Sequence, residues 1–157
     1  MAGMTSVRRA LTMTMAVVLV AQVTTQGDRV EKAVAFEIDK GQMLEAVVGP
    51  VQITTLTVSN LGRGYGRGGL SLRTVSPPSE LSTTLRFAFD VNNPGRQEWD
   101  VTFTIELLDK EGKVIDRSSK TENYENEAAV LRIEHPIIEY ALPLISQVRV
   151  TLQGRRT

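Results

Sequence analysis

Apolar and polar residues alternate with a period of two along most of the chain. From Trp99 to Leu107 every odd position is apolar and every even position polar, which places one face of a strand on a core and the other in water. A helix would scatter the same residues around its circumference. Leu85 to Val91 repeats the alternation, and Asn92-Asn93-Pro94-Gly95 follows as a turn, so these two runs are expected to form an antiparallel pair. Between the apolar arms of Leu108 to Ile115 lies Asp109-Lys110-Glu111-Gly112, predicting a tight hairpin. Val34-Phe36-Ile38, Ala129-Leu131-Ile133 and Val148-Val150-Leu152 also alternate. Val51-Ile53 and Leu56-Val58 do so with a one-residue phase slip at Thr54-Thr55, which predicts a β-bulge.

About seven short strands separated by turn signals predict an all-β chain folded as an immunoglobulin-like antiparallel β-sandwich. Helix is confined to two short candidates, Gln42–Val47 and Ile137–Leu142, bracketed by Pro50, Pro136 and Pro143. Trp99, at a strand entrance, is expected to close one end of the core. Val130 and Leu108, placed on outward positions, point to a second apolar face, and an exposed strand edge offers a partner's strand somewhere to pair.

The first 27 residues differ from the rest. They contain no acidic residue, and Arg8-Arg9 stand directly ahead of the apolar run Ala10 to Val23, the order of a secretory signal peptide. Fourteen residues of helix reach only about 21 Å, short of the roughly 30 Å hydrocarbon core of a bilayer, and Thr12, Thr14 and Gln22 dilute the stretch. An uncleaved N-terminal anchor is the alternative, and it would be the chain's one membrane contact. A cleavage point falls between Ala21 and Gly27. The domain plan is therefore a signal-peptide helix or anchor at 1–27 and a β-sandwich at 28–157, and the location is extracytoplasmic, periplasmic or secreted.

Charge and cysteine content narrow the function. The chain has 18 Lys+Arg, 18 Asp+Glu, one His and no Cys. A neutral domain has no bulk attraction for nucleic acid. Because Arg8 and Arg9 are the only basic residues of the leader, the remaining domain carries a formal charge of −2. Without cysteine there are no zinc-finger, iron–sulfur, thiol-nucleophile or disulfide-scaffold chemistries and no lipobox. An exported domain without disulfides fits a bacterial envelope better than an animal secretory pathway.

Candidate chemistry is sparse. A Ser-His-Asp triad would have to be built on His135, the only imidazole, and no Gly-x-Ser-x-Gly elbow accompanies it; a solvated histidine at a strand edge is the simpler reading. Acids such as Asp90, Glu106 and Glu134 fall on outward strand positions rather than facing one another. Asp109, Glu111, Asp116, Glu122, Glu125 and Glu127 are numerous enough for calcium, but Lys110, Lys113, Arg117 and Lys120 interleave with them, the mark of a salt-bridged hairpin surface. No cofactor is expected. The most distinctive segment is the Gly/Arg-rich loop at 61–79, with Gly62-Arg63-Gly64-Tyr65-Gly66-Arg67-Gly68-Gly69. Connections of that length are uncommon inside a compact domain. Arg63, Tyr65 and Arg67 are the candidate contacts for a ligand, a protein or an acidic envelope polymer.

Ile105-Glu106-Leu107-Leu108-Asp109 followed by Gly112-Lys113-Val114-Ile115 resembles the signature of FxLYD-type domains, extracytoplasmic β-sandwiches of bacteria and archaea named for Phe-x-Leu-Tyr-Asp ahead of a glycine hairpin. Val91-Asn92-Asn93 is similar to their strand ending in Val-x-Asn, and Val148-Arg149-Val150 to their closing strand. The resemblance spans roughly residues 80–153, and Ile105 and Leu108 stand where the family has aromatic residues. It implies a fold and a location, with no shared catalytic residues. The expected function is a non-catalytic binding or structural module of the bacterial envelope. The alternative is a ligand- or carbohydrate-binding accessory domain, or a small enzyme, whose site on the loops at one end uses Arg63, Tyr65, Arg67 and Trp99.

Overall fold

A computed structural model describes residues 29–62 and 81–157. These residues form eight strands: β1 (Arg29–Ala35), β2 (Gly41–Val48), β3 (Val51–Asn60), β4 (Ser82–Asn92), β5 (Trp99–Leu108), β6 (Val114–Tyr124), β7 (Ala128–Ile138) and β8 (Gln147–Arg156), with one 3-10 turn at Glu139–Leu144. They make two antiparallel four-stranded sheets, ordered β1-β8-β5-β6 and β2-β3-β4-β7. The chain is thus an all-β sandwich. Naming β3, β4, β5, β6, β7 and β8 as A, B, C, C′, E and F reproduces the neighbour orders A-B-E and C′-C-F of immunoglobulin-type sandwiches. The place of strand G, beside F, is taken by β1, the first strand of the domain.

Alternation decides which side chains meet between the sheets. Leu56 and Val58 on β3, Phe87 and Phe89 on β4, Val101, Phe103 and Ile105 on β5, and Val148, Val150 and Leu152 on β8 are all buried in one core. Phe89 and Phe103 meet across the layers with ring centroids 5.1 Å apart, and Phe103 meets Tyr124 edge-on at 6.3 Å. Such tilted contacts suit the ring quadrupoles.

Three sequence expectations need correction. The first concerns β4 and β5, which do not pair with each other. β4 bonds to β3 and β7, while β5 bonds to β6 and β8. The Asn-Asn-Pro-Gly turn opens a crossover between layers. Asn93 governs it: its buried side-chain amide donates to the carbonyls of Gln97 and Tyr124, both at 3.0 Å, and its Oδ1 accepts from the Gly95 amide at 3.0 Å. Second, Gln42–Val47 is strand, not helix. Leu44, Ala46 and Val48 are buried while Met43, Glu45 and Val47 are exposed. Third, the candidate at Ile137–Leu142 is the 3-10 turn at Glu139–Leu144, with Ile137 and Ile138 still in β7. The bulge at Thr54 is present: β4 pairs Ile53 with Val91 and Thr55 with Asp90, leaving Thr54 over. On β2 the same irregularity leaves Leu44 and Glu45 between the Met43–Thr55 and Ala46–Ile53 pairs, with Glu45 left-handed at φ 47°.

Trp99 closes one end of the core, as expected. Its ring lies on Gly49 and Gly154; a Cβ at Gly49 would come within 2.5 Å of the indole, and one at Gly154 within 3.2 Å of it. Gly49 also has φ +56°, so its lack of a side chain serves both the turn and the close approach.

Candidate functional site

Polar side chains with chemical potential fall into separate groups, each built into the scaffold. His135 is one surprise. It shares the inward face of β7 with Leu131, Ile133 and Ile137, and its Nε2 lies 2.9 Å from Asp116 Oδ2 on β6. The contact bridges the two sheets along the seam where β6 runs beside β7. The imidazole is only 16% exposed, so the expectation of a solvated histidine is corrected. Parity along Leu131-Ile133-His135-Ile137 carried the signal. The core side of β6 is polar from Asp116 to Glu122, since Asp116, Ser118, Lys120 and Glu122 pair with the buried Leu107, Ile105, Phe103 and Val101, and only at its end does Tyr124 enter the core.

The acids expected on outward faces are there and are engaged. Glu106 accepts from Arg149 Nε at 2.7 Å, with Arg149 Nη2 2.6 Å away and Arg117 3.9 Å away. Glu134 pairs with Arg86 at 2.7 Å, and Asp90 accepts from the Thr55 hydroxyl. Asp100 takes a bond from Arg155 at 2.8 Å and another from Asn123. These donors hold its carboxyl below the usual range, against a smaller opposing effect of burial. Asp109 organises the hairpin: one carboxylate oxygen accepts the amides of Glu111 and Lys113 at 2.9 and 2.8 Å, and Gly112 supplies φ 80°. The neighbouring acids form ion pairs, Lys110–Glu111 at 3.7 Å and Lys120–Glu122 at 2.5 Å. Among the described residues no group of three or more His, Cys, Asp or Glu is placed to hold a metal ion.

The sandwich ends differ. One holds Trp99, Asn93 and the β2–β3 turn. The other holds the β5–β6 hairpin, the 3-10 turn, the link at 36–40, and Gly62 and Leu81. Here Ile38, Leu81, Val114, Ile138, Tyr140 and Leu144 are exposed apolar side chains. A groove of about 540 Å³ runs between the hairpin and the 3-10 turn, lined by Asp109, Lys110, Glu111, Ile115, Pro143, Leu144, Ile145 and Ser146. Arg63, Tyr65 and Arg67 lie outside the described residues. The flanking Leu61 and Gly62 bond to the backbone of Thr84 at this end, a sandwich length away from Trp99. Trp99 is also turned onto its two glycines, so the described residues do not bring it toward the Gly/Arg segment. Of the two residues read as an outward apolar face, Val130 is 46% exposed but Leu108 is buried at 4%. Leu108 stands at the register shift between β5 and β6 and is covered there, outside the cluster of side chains packed between the sheets.

Each sheet edge carries an obstacle to added strands. β7 has Pro136, exposed; its partner Thr84 bonds instead to Leu61 and Gly62, so the missing N–H is not needed by β4. β2 has the bulge at Glu45, β6 its polar core side, and β1 a lysine, Lys32, opposite buried Val150.

No family model, curated protein or solved structure matches the chain. Among the described residues no helix is long and apolar enough to cross a membrane.

Proposed function

We propose that the chain is an exported, non-catalytic binding or structural module of the bacterial cell envelope, of the kind the FxLYD resemblance implies. The observation that carries this reading is the employment of the polar side chains. His135 is tied to Asp116, Asn93 to three backbone groups, Asp109 to its own hairpin and Glu106 to Arg149. Each joins strands or shapes a turn. The basic, apolar leader at 1–27 and the cysteine-free composition support the proposed location.

A protein partner would meet the end bearing Leu81, Ile138, Tyr140 and Leu144, because exposed apolar side chains gathered in one place are the usual substrate of protein contact. β1 starts at the opposite end, where Arg29 pairs with Gln153 beside the Trp99 end of the core. A leader retained as an anchor would therefore hold the apolar end away from the membrane. The location is tested by expressing the full chain in a bacterial host, separating the compartments and sequencing the N-terminus of the recovered protein. The expected result is an envelope or secreted product, either starting between residues 22 and 28 or retained whole in the membrane fraction. Unprocessed chain in the cytosol would contradict the proposal.

A further inference from the structure

We propose that β1 exchanges between two copies of this chain, giving a reciprocal strand-swapped dimer. The inference stands independently of the functional reading above. It begins from topology: the edge place beside β8 is filled by β1, the first of the described strands, which residues 36–40 join to β2. Among the described residues β1 pairs with β8 and no other strand. It can therefore leave without breaking any other ladder.

The strand is held lightly. None of its seven residues is fully buried. Its core-facing positions are Val30, Lys32 and Val34, set against Leu152, Val150 and Val148, which are completely buried. The middle position sets a half-buried lysine against that apolar layer, and Lys32 has no hydrogen bond or ion pair among the described residues. An inward charge is also a device that discourages foreign strands from pairing.

The link supplies the bias. Asp39 is held left-handed at φ 56° to turn the chain from one sheet edge to the other, a conformation that costs a residue with a Cβ roughly 1 kcal/mol. It is secured there by the Asp39 amide on the Val58 carbonyl at 2.7 Å and the Phe36 amide on Ser146 at 2.9 Å. Straightened, five residues span about 17 Å, too short to double back but enough to carry β1 onto an adjacent copy. There it meets the same β8 edge in the same register. Closed and exchanged forms then share nearly all contacts, so hinge strain and concentration set the balance. β8 is suited to receive it: its ladders to β1 and β5 run without a bulge, and it contains no proline.

The test uses the absence of native cysteine. Glu31 and Thr151 are directly opposed across β1 and β8. The full chain carrying Glu31→Cys and Thr151→Cys is prepared with and without isotope label, mixed, unfolded and refolded at rising concentration, then oxidised. Exchange predicts 31–151 links joining labelled to unlabelled chains, in a fraction that grows with concentration. Asp39→Pro, which forbids the closed hinge, should raise that fraction, and Asp39→Gly, which relaxes both hinges of each dimer, should lower it roughly 30-fold at concentrations where the dimer is the minor form. Links confined to single chains at every concentration would overturn the proposal. So would a dimer seen by gel filtration whose 31–151 links are all within one chain, since that dimer associates through another surface.

Discussion

Where β5 begins, a fully buried asparagine satisfies three backbone groups and an indole lies on two glycines; where β5 stops, six large apolar side chains stand in solvent at the end that also holds a groove. The first end is packed so closely that neither Gly49 nor Gly154 has room for a Cβ. The second exposes the surface that would ordinarily be covered. One sandwich therefore has a stabilising end and an available end, and the hinge of β1, residues 36–40, belongs to the second. Substitutions at the two ends should separate accordingly.

Asn93→Ala should have the largest effect. It strips partners from the Gly95 amide and from the carbonyls of Gln97 and Tyr124, so a loss of about 3 kcal/mol is expected. Urea denaturation would measure it, and a loss below about 1 kcal/mol would mean that the turn does not depend on the amide. Gly49→Ala follows at about 2 kcal/mol, from the 2.5 Å approach of a new Cβ to Trp99 and from the left-handed backbone. The same denaturation series with Trp99→Leu in the background should recover part of that loss.

Tyr124→Phe should act in the other direction. The phenol oxygen is buried without a hydrogen-bond partner among the described residues, so removing it should be neutral or stabilise by up to about 1 kcal/mol. Burial first, then the charges of Glu122 and Glu127, push this phenol well above the ordinary tyrosine value of 10.0. The folded state thus holds the proton more tightly than the unfolded state. Its contribution is fully present below pH 10 and is lost as pH rises beyond it. Wild type should lose stability more steeply than Tyr124→Phe between about pH 10 and 11. Parallel curves would mean that the phenol is not the group responsible.

At the available end, Tyr140→Ser and Leu144→Ser should change stability by no more than about 0.5 kcal/mol, since both side chains are more than 60% exposed. Losses above about 1 kcal/mol would show that this end is part of the core, and the contrast would fail.

Much of this was legible in the sequence where a strand's parity alone decides the outcome. The slip at Thr54-Thr55 marked a real bulge, and the Asp109 to Gly112 hairpin sits where its turn residues put it. Pairing was another matter. β4 and β5 each put apolar side chains into the same core whether the turn between them makes a hairpin or crosses between layers, so alternation cannot distinguish the two. The buried Asn93 decides, and its burial is a property of the folded turn. β2 reads as helix because Gln42, Met43, Leu44, Glu45 and Ala46 are good helix formers, although Leu44, Ala46 and Val48 already alternate; adding it to the seven expected strands gives the eight among the described residues, with the run Val34-Phe36-Ile38 lying in β1 only at Val34 and its other two members in the link. Of the candidate site, the sequence singles out His135 as the one imidazole but not its inward direction, and the apolar end draws on Leu81, Tyr140 and Leu144, which come to one end only through the fold.

Hydrogen exchange of assigned backbone amides tests the contrast most directly. Asn93 N–H bonds to Glu127 at 2.8 Å, and at the other end the amides of Phe36, Asp39 and Glu139 bond to Ser146, Val58 and Leu81 at 2.9, 2.7 and 2.7 Å. All four are hydrogen-bonded, so differences in protection report opening rather than static geometry. The prediction is that Asn93 exchanges only with global unfolding, while Phe36 and Asp39, and with them the β1 amides, exchange at least about 100-fold faster through local release of the strand. Equal protection at Asn93, Phe36 and Asp39 would contradict it.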